Sequence, residues 1–323
     1  MASLKKSNLS KVKKQLLNKN IKTGGPLKFN PDASNKIFQL CKTGKKTFLL
    51  LSFQNNPVEY QRYLRADHAL YSQGVLTPSV IEKNPTHKYL LMEYFPINNA
   101  SKFYKKEELK NIFPQAIKTL KLLQHPRRKR FSGIPIKPFN NLTRNASKGI
   151  ETYIEYFDYK IQIGYYLNRL IQKSLKNNLI SLNKYKPALT HGDFFLENFI
   201  YYQKDLYLID HQDLHYNHPY LDIASLIFDA RRLYSAQTED KLIRNYAKKF
   251  NLSLVDFRSE IHLVSLARNL RILGNWVNLY RSGKTQYLKK YRKNTWLQIL
   301  KHVEYLRLWD LRELFEEIYN KTK

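Results

Sequence analysis

Seven acids and a single base occupy the 39 residues from His191 to Asp229, in a chain of 323 residues whose formal net charge is +30. The acids are Asp193, Glu197, Asp205, Asp210, Asp213, Asp222 and Asp229, and the base is Lys204. Carboxylates crowded into so short a run repel one another, so the chain must fold there in a way that supplies cations or hydrogen-bond donors. Four of the nine histidines, His191, His211, His215 and His218, fall in the same run. Such a concentration of titratable groups marks the place to look for chemistry.

The run also interrupts a periodicity. Up to about Pro96 the pattern is strand-like: Ile37–Leu40 and Thr47–Phe53 flank a hairpin at Lys42-Thr43-Gly44-Lys45, and Tyr89–Tyr94 is a third apolar strand. Between the second and third strands Asn56 is the N-cap of a helix, with Pro57 at its first position, Glu59 as capping-box partner, Gly74 as its stop, and Tyr60, Leu64 and Tyr71 on one face. Beyond Pro96 the spacing is helical over Lys106–Leu123, Ser147–Lys176, Tyr220–Tyr234, Ser253–Arg281 and Trp296–Tyr319. The exception is Leu189–Asp210, where strand-like Asn198–Tyr202 and Leu206–Ile209 bracket a turn. An α+β chain follows: a small β-rich N-lobe over 27–96 and a larger, mainly helical C-lobe over 97–323 whose β insert carries the acids.

The first 26 residues read as a basic extension. Leu9, Val12, Leu16 and Leu17 suggest a short helix there, ended by Gly24-Gly25-Pro26, and residues 1–31 hold eight lysines and no acid. With 43% hydrophobic and 14% aromatic residues, the chain can bury a core in each lobe. The lone Cys41 excludes an internal disulfide, and no apolar run approaches a membrane span or a secretory leader, which points to the cytoplasm.

Asp193, Asn198 and Asp210 are spaced for phosphoryl transfer from a nucleotide. That reaction needs a carboxylate to orient or deprotonate the acceptor hydroxyl, and oxygen ligands to hold Mg²⁺ against the phosphates. Asp193 suits the first task, and Asn198 and Asp210 the second. A tight loop from Asp193 into a strand lets Asp193 and Asn198 face one cleft, and the next strand returns Asp210 beside them.

The string His191-Gly192-Asp193-x4-Asn198, followed by Leu208-Ile209-Asp210, resembles the signature of the aminoglycoside phosphotransferase and choline kinase group, which has a bilobal protein-kinase-like fold. Leu208-Ile209-Asp210-His211-Gln212-Asp213, Tyr220-Leu221-Asp222-Ile223-Ala224-Ser225-Leu226 and Arg268-Asn269-Leu270-Arg271-Ile272-Leu273-Gly274 further resemble blocks of the bacterial anomeric kinases of N-acetylmuramate and N-acetylglucosamine. Asp32-Ala33-Ser34-Asn35-Lys36 resembles a loop of the same kinases. The resemblance implies ATP as donor, Mg²⁺ as cofactor, and a small-molecule acceptor, a neutral or anionic amino sugar, with no obligate protein partner. It implies Asp193 as the catalytic aspartate, Asn198 and Asp210 as metal ligands, and Ser34, Lys36 and Glu93 at the nucleotide. His191 and Asp222 would support the catalytic loop, and Arg268, Arg271 and Asp213 would meet the substrate.

Several positions carry two readings. Related kinases place a phosphate-binding Lys on the second strand, which here reads Leu49-Leu50-Leu51-Ser52. Lys36 either replaces it or is a solvated hairpin lysine. Glu59 either pairs with that cation or simply caps its helix, and Asp213 either approaches the metal or substrate or caps the next segment. Arg268 and Arg271, three apart, either share a functional face or are solvated.

Two other classes compete with a kinase. Asp210, His211, Asp213, His215 and His218 together offer imidazole and carboxylate to a zinc ion, although their spacing fits no hydrolase motif. The lysine-rich N-terminus, the loop Pro126-Arg127-Arg128-Lys129-Arg130 and 24 tyrosines suit a nucleic-acid or anionic-membrane binder.

Overall fold

A computed structural model describes residues 12–19, 21–26, 37–53, 56–96, 100–103, 109–125, 130–139, 141–158, 169–171, 173 and 184–322. The chain divides into two compact units, one comprising Met1–Leu109, Arg127–Gly133 and Glu197–Asp213, the other Lys110–Pro126, Ile134–Leu196 and Leu214–Lys323.

The first unit is built on a five-stranded antiparallel sheet of order β1-β2-β3-β5-β4. Its strands are β1 (Lys22–Pro26), β2 (Ile37–Thr43), β3 (Lys46–Ser52), β4 (Val80–Asn84) and β5 (Tyr89–Glu93). Successive side chains of a strand point to opposite faces, so the unbroken apolar runs of β3 and β5 bury both. Leu50, Leu91, Tyr89 and Cys41 pack with Val12, Leu16 and Ile21. Leu51, Leu90 and Met92 pack with Phe53, Tyr60 and Tyr63 on the other side.

Val12 and Leu16 belong to a short helix, α1 (residues 12–18), whereas Leu17 is 61% exposed and Leu9 lies outside the described residues. The glycine pair expected to end that helix instead lies in β1, where Lys22 and Thr23 pair with Lys42 and Cys41. The missing side chain at Gly24 permits this, since a Cβ there would stand 3.3 Å from the Leu40 carbonyl oxygen. Edge strand β4 alternates half-buried and exposed positions too weakly to announce itself in sequence.

Helix α2 (Pro57–Gln73) follows its punctuation closely. Asn56 Oδ1 accepts the N–H groups of Val58 and Glu59, and Gly74 closes the helix at φ +76°. Its buried residues are Tyr60, Tyr63, Ala66, Ala69, Leu70 and Gln73. Tyr71, about three turns beyond Tyr60 and at nearly the same angle, is 80% exposed: angular position alone does not bury a residue near a helix end. A hairpin of β7 (Phe199–Tyr202) and β8 (Asp205–Leu208) completes this unit, turning at Gln203 and Lys204, both with positive φ.

The second unit is helical. It holds α3 (Leu109–Gln124), α4 (Asn141–Tyr156), α5 (Tyr220–Ile227), α6 (Ala236–Phe250), α7 (Leu254–Arg281), α8 (Gln286–Tyr305) and α9 (Trp309–Lys321), with a two-stranded ladder of β6 (Ala188–Thr190) and β9 (His215–Asn217). The central element is α7, buried almost all round from Phe257 to Val277 and packed on α4, α5, α6 and α8.

Three helices depart from their sequence periodicity. α4 begins and ends earlier than Ser147–Lys176. α5 stops at Ile227 rather than Tyr234, because buried Asp229 takes the Arg231 N–H and redirects the chain. The pattern Trp296–Tyr319 is two helices, broken where Arg307 adopts φ +55°. α6, capped by Ser235 and closed by Asn251 in the left-handed region, gives little helical signal in sequence because its mostly polar residues hide a narrow apolar stripe.

Candidate active site

Asp193 follows β6 in a loop whose backbone is fixed from below. The carboxylate of Asp222, in the first turn of fully buried α5, accepts the N–H of His191 at 2.7 Å and that of Gly192 at 2.8 Å. His191 is itself buried, and its Nδ1 accepts the Asp193 N–H at 3.3 Å. Thr190 adds a bond from Oγ1 to the His215 carbonyl across the β6–β9 ladder. Gly192 sits at φ +91°, and a Cβ there would come within 2.9 Å of the His215 ring, so the turn requires glycine. Burial pushes the Asp222 carboxyl up, while His191 and the two backbone N–H groups draw it down.

These bonds present Asp193 with its side chain exposed although protein crowds around it. That crowding alone would raise its carboxyl. The charges of Arg271, Arg268, His191 and Arg231 outweigh it and hold Asp193 below the usual carboxylate range. Arg268 and Arg271 both come from α7, and the helix reaches this position because two glycines let it approach α4. A Cβ on Gly274 would stand 2.7 Å from Gly149 Cα, and one on Gly149 only 2.3 Å from the Leu270 oxygen. Arg231 lies 3.8 Å from the centroid of the Phe195 ring and shares Asp229 with Arg232, at 3.3 and 3.2 Å.

In the first unit, the β7–β8 hairpin brings Asn198 and Asp210 together. The Ile209 N–H bonds the Asn198 carbonyl at 2.9 Å, and Phe199 pairs with Leu208. Asp210 is exposed at φ +61°, a conformation that Asp tolerates better than most residues, and its Oδ1 accepts from Gln212 Nε2 at 2.9 Å. Next to it, His211 is fully buried on α2, its ring 4.5 Å from that of Tyr63 and its Nε2 3.7 Å from Asp67. Burial, with the charges of Asp67 and Asp210, pushes the Tyr63 hydroxyl up. Asp213 is exposed in the following turn. The Glu93 carboxylate accepts from Ser79 N and Oγ at 3.2 and 3.0 Å.

Ser34 and Lys36 lie outside the described residues, as do Pro126–Lys129 and the first eleven residues. Among the described residues no three His, Cys, Asp or Glu side chains cluster as a metal site. The histidines read as zinc ligands have other work: His218 Nδ1 accepts the Tyr220 N–H, and burial pushes its imidazole down to about 3. No described helix is long and apolar enough to cross a membrane.

Residues 27–257 match the phosphotransferase enzyme family. The chain belongs to this family. Solved structures agree in fold with the phosphotransferase: the choline kinase of Streptococcus pneumoniae at a TM-score of 0.61 and 17% identity, covering 88% of this chain and 98% of that one. The choline kinase of Cryptosporidium parvum gives 0.61 and 13% over 94% and 95%, and the ADP-bound aminoglycoside phosphotransferase APH(2'')-Ib gives 0.61 and 16% over 87% and 98%. No curated protein matches the chain.

Sequence reasoning gave no role to Arg231, Arg232 and Asp229 or to the glycine pair. The arginines were signalled only by Asp229-Ala230-Arg231-Arg232 following the acid-rich run, and the glycines carried no signal without knowledge of which helices cross.

Proposed function

We propose that the phosphotransferase transfers the γ-phosphoryl group of ATP to an amino sugar, at the anomeric hydroxyl of N-acetylmuramate or N-acetylglucosamine. The observation that carries the reading is Asp193: exposed, held ionised by neighbouring arginines, and fixed by a backbone that Asp222 clamps. In this reading Asp193 accepts a hydrogen bond from the acceptor hydroxyl, aligns its oxygen with phosphorus, and takes the proton as the new bond forms. His191 and Asp222 hold the loop at that geometry.

Asn198 and Asp210 offer the hard oxygen donors that Mg²⁺ prefers, and the hairpin delivers them side by side. When bound, Mg²⁺ supplies charge neutralisation to the phosphates. Asp213 stands three residues beyond Asp210, in reach of metal or substrate by chain length. Ser34, Lys36 and Glu93 serve the nucleotide in this reading, with the Glu93 carboxylate and N–H both held by Ser79. The amino-sugar assignment rests on the likeness of Leu208–Asp213, Tyr220–Leu226 and Arg268–Gly274 to anomeric sugar kinases. The expected setting is the cytoplasm, where ATP is plentiful.

The test is a panel of sugars and small alcohols with ATP and Mg²⁺, read by ADP formation and product identity. Asp193→Asn should lower kcat by about 10²- to 10⁴-fold and spare ATP affinity; near-normal turnover would defeat the assignment. Salt-sensitive polynucleotide binding with no nucleotide turnover would replace the kinase reading altogether.

A further inference from the structure

We propose that the acceptor carries an anionic group, a carboxylate or phosphate, and that Arg268 and Arg271 bind it beside Asp193. The inference rests on Asp193 being the base, and adds the charge of the molecule it serves.

The first observation is an idle cation. Arg268 is 3% exposed, yet its Nε and Nη1 bond no described residue. A guanidinium carries five N–H donors in a rigid fork suited to two oxygens at once, and leaving such donors dry is costly. Burial, with Arg271 and Arg231 nearby, pushes Arg268 down to about 10, against the pull of Asp193 and Asp229, so it remains charged at neutral pH.

The second is local charge. Arg231 and Arg232 both pair with Asp229, and the Asp222 carboxylate is occupied by two backbone N–H groups. Among the described residues, Asp193 and Asp229 are set against Arg231, Arg232, Arg268 and Arg271, so the surroundings of the proposed base are short of negative charge. A cationic acceptor would meet repulsion there. An anionic one would engage Arg268's unused donors and complete the local neutralisation.

The third is rigidity. Both arginines stand on the central helix α7, one turn apart, and the backbone between them is pressed against α4 at Gly149. Such a pair is positioned before any ligand arrives, which limits the ordering cost of binding.

Anion binding by this pair has two sources to separate: the acceptor's own charged group and the phosphoryl group in transit. N-acetylmuramate and N-acetylglucosamine differ by one lactyl carboxylate and are a matched pair. With saturating MgATP, wild-type kcat/KM should favour N-acetylmuramate by about tenfold to a hundredfold. Arg271→Gln, at a half-buried position that tolerates change, and Arg268→Lys should each shrink that ratio about tenfold or more. Equal losses on both sugars would assign the arginines to the phosphoryl group and overturn the proposal, as would an undiminished ratio.

Turnover of neither sugar would sink the amino-sugar reading alone. The anion site is then decided by thermal shift with a non-hydrolysable MgATP analogue saturating, so that the γ-phosphoryl position is filled: millimolar inorganic phosphate should raise the wild-type melting temperature over a chloride control, and Arg271→Gln should abolish the rise. No rise, or an equal rise in the variant, overturns the proposal.

Discussion

Gly149→Ala is expected to destabilise the protein although it places a better helix former inside a helix. Alanine gains about 1 kcal/mol over glycine in a helix interior. Against this, the new Cβ would lie 2.3 Å from the Leu270 oxygen, 2.6 Å from Arg271 Cα and 2.9 Å from the Leu270 carbonyl carbon. Ordinary contacts begin near 3.4 Å, so the helices must part by about 1 Å. All three obstacles are backbone, so no rotamer change relieves the overlap. Overpacking costs about 1–3 kcal/mol, and a clash with immovable atoms belongs at the top of that range. The net is about 2 kcal/mol of lost stability, or about 3 °C in Tm for a chain of 323 residues. Urea unfolding and thermal melting measure it, with exposed Lys148→Ala on the same helix as a control within about 0.5 kcal/mol of wild type. Because Arg271 Cα is among the displaced atoms, kcat/KM for the acceptor should fall further than the folded fraction alone explains. A Gly149→Ala protein that melts at or above the wild-type temperature would refute the close crossing and the placement of the arginines that depends on it.

Asp222→Asn keeps the shape but turns an NH₂ toward one of two N–H donors. It should cost about 2–3 kcal/mol and lower kcat, and a variant normal in both would remove Asp222 as the clamp. Arg271→Gln deletes a charge that holds Asp193 down, so the Asp193 carboxyl rises and the acid limb of the kcat/KM profile should move to higher pH; an unmoved limb counts against Asp193 as the titrating base. His262, buried and 3.0 Å from His302 through their Nδ1 atoms, is pushed down to about 3 by burial and by Lys301 and Arg258. The unfolded chain, with histidine near 6.5, binds the extra proton first, so stability falls as pH drops below about 6.5. At pH 5 the loss is about 2 kcal/mol for this group. Urea midpoints at pH 7 and 5 should therefore differ less in His262→Gln than in wild type, and an equal difference would show that the ring is already charged in the fold.

What could be read from sequence was what local chemistry dictates. Asn56, Pro57 and Gly74 mark α2 because capping is a local transaction between a side chain and the nearest N–H groups. The apolar runs of β3 and β5 mark strands because both faces of that sheet are covered. Gly24 read as part of a helix stop, yet sits in β1 because strand neighbours approach it closely, a fact of pairing between distant segments. His211, a candidate only in the competing zinc reading, packs on Tyr63 of α2 far away in sequence. The crossing of Gly149 on Gly274 is of the same kind. Between His191 and Asp229 the candidate residues could be picked out by type and spacing, and the contacts that join them to distant helices could not.

The excess of carboxylates between His191 and Asp229 demanded donors, and the fold supplies them in different ways. Asp222 is fully buried and satisfied by backbone N–H groups, which cannot leave or exchange and so make it structural. Asp229 is equally buried and ion-paired with Arg231 and Arg232. Asp193 differs from both: its charge is favoured by the fields of Arg268 and Arg271, yet its side chain stays exposed. A carboxylate neutralised by direct bonds is a poor base, because those bonds must break before it can take a proton. One kept ionised by neighbouring charge with its side chain exposed to solvent can accept a hydroxyl proton, and this difference in exposure sets Asp193 apart from Asp222 and Asp229.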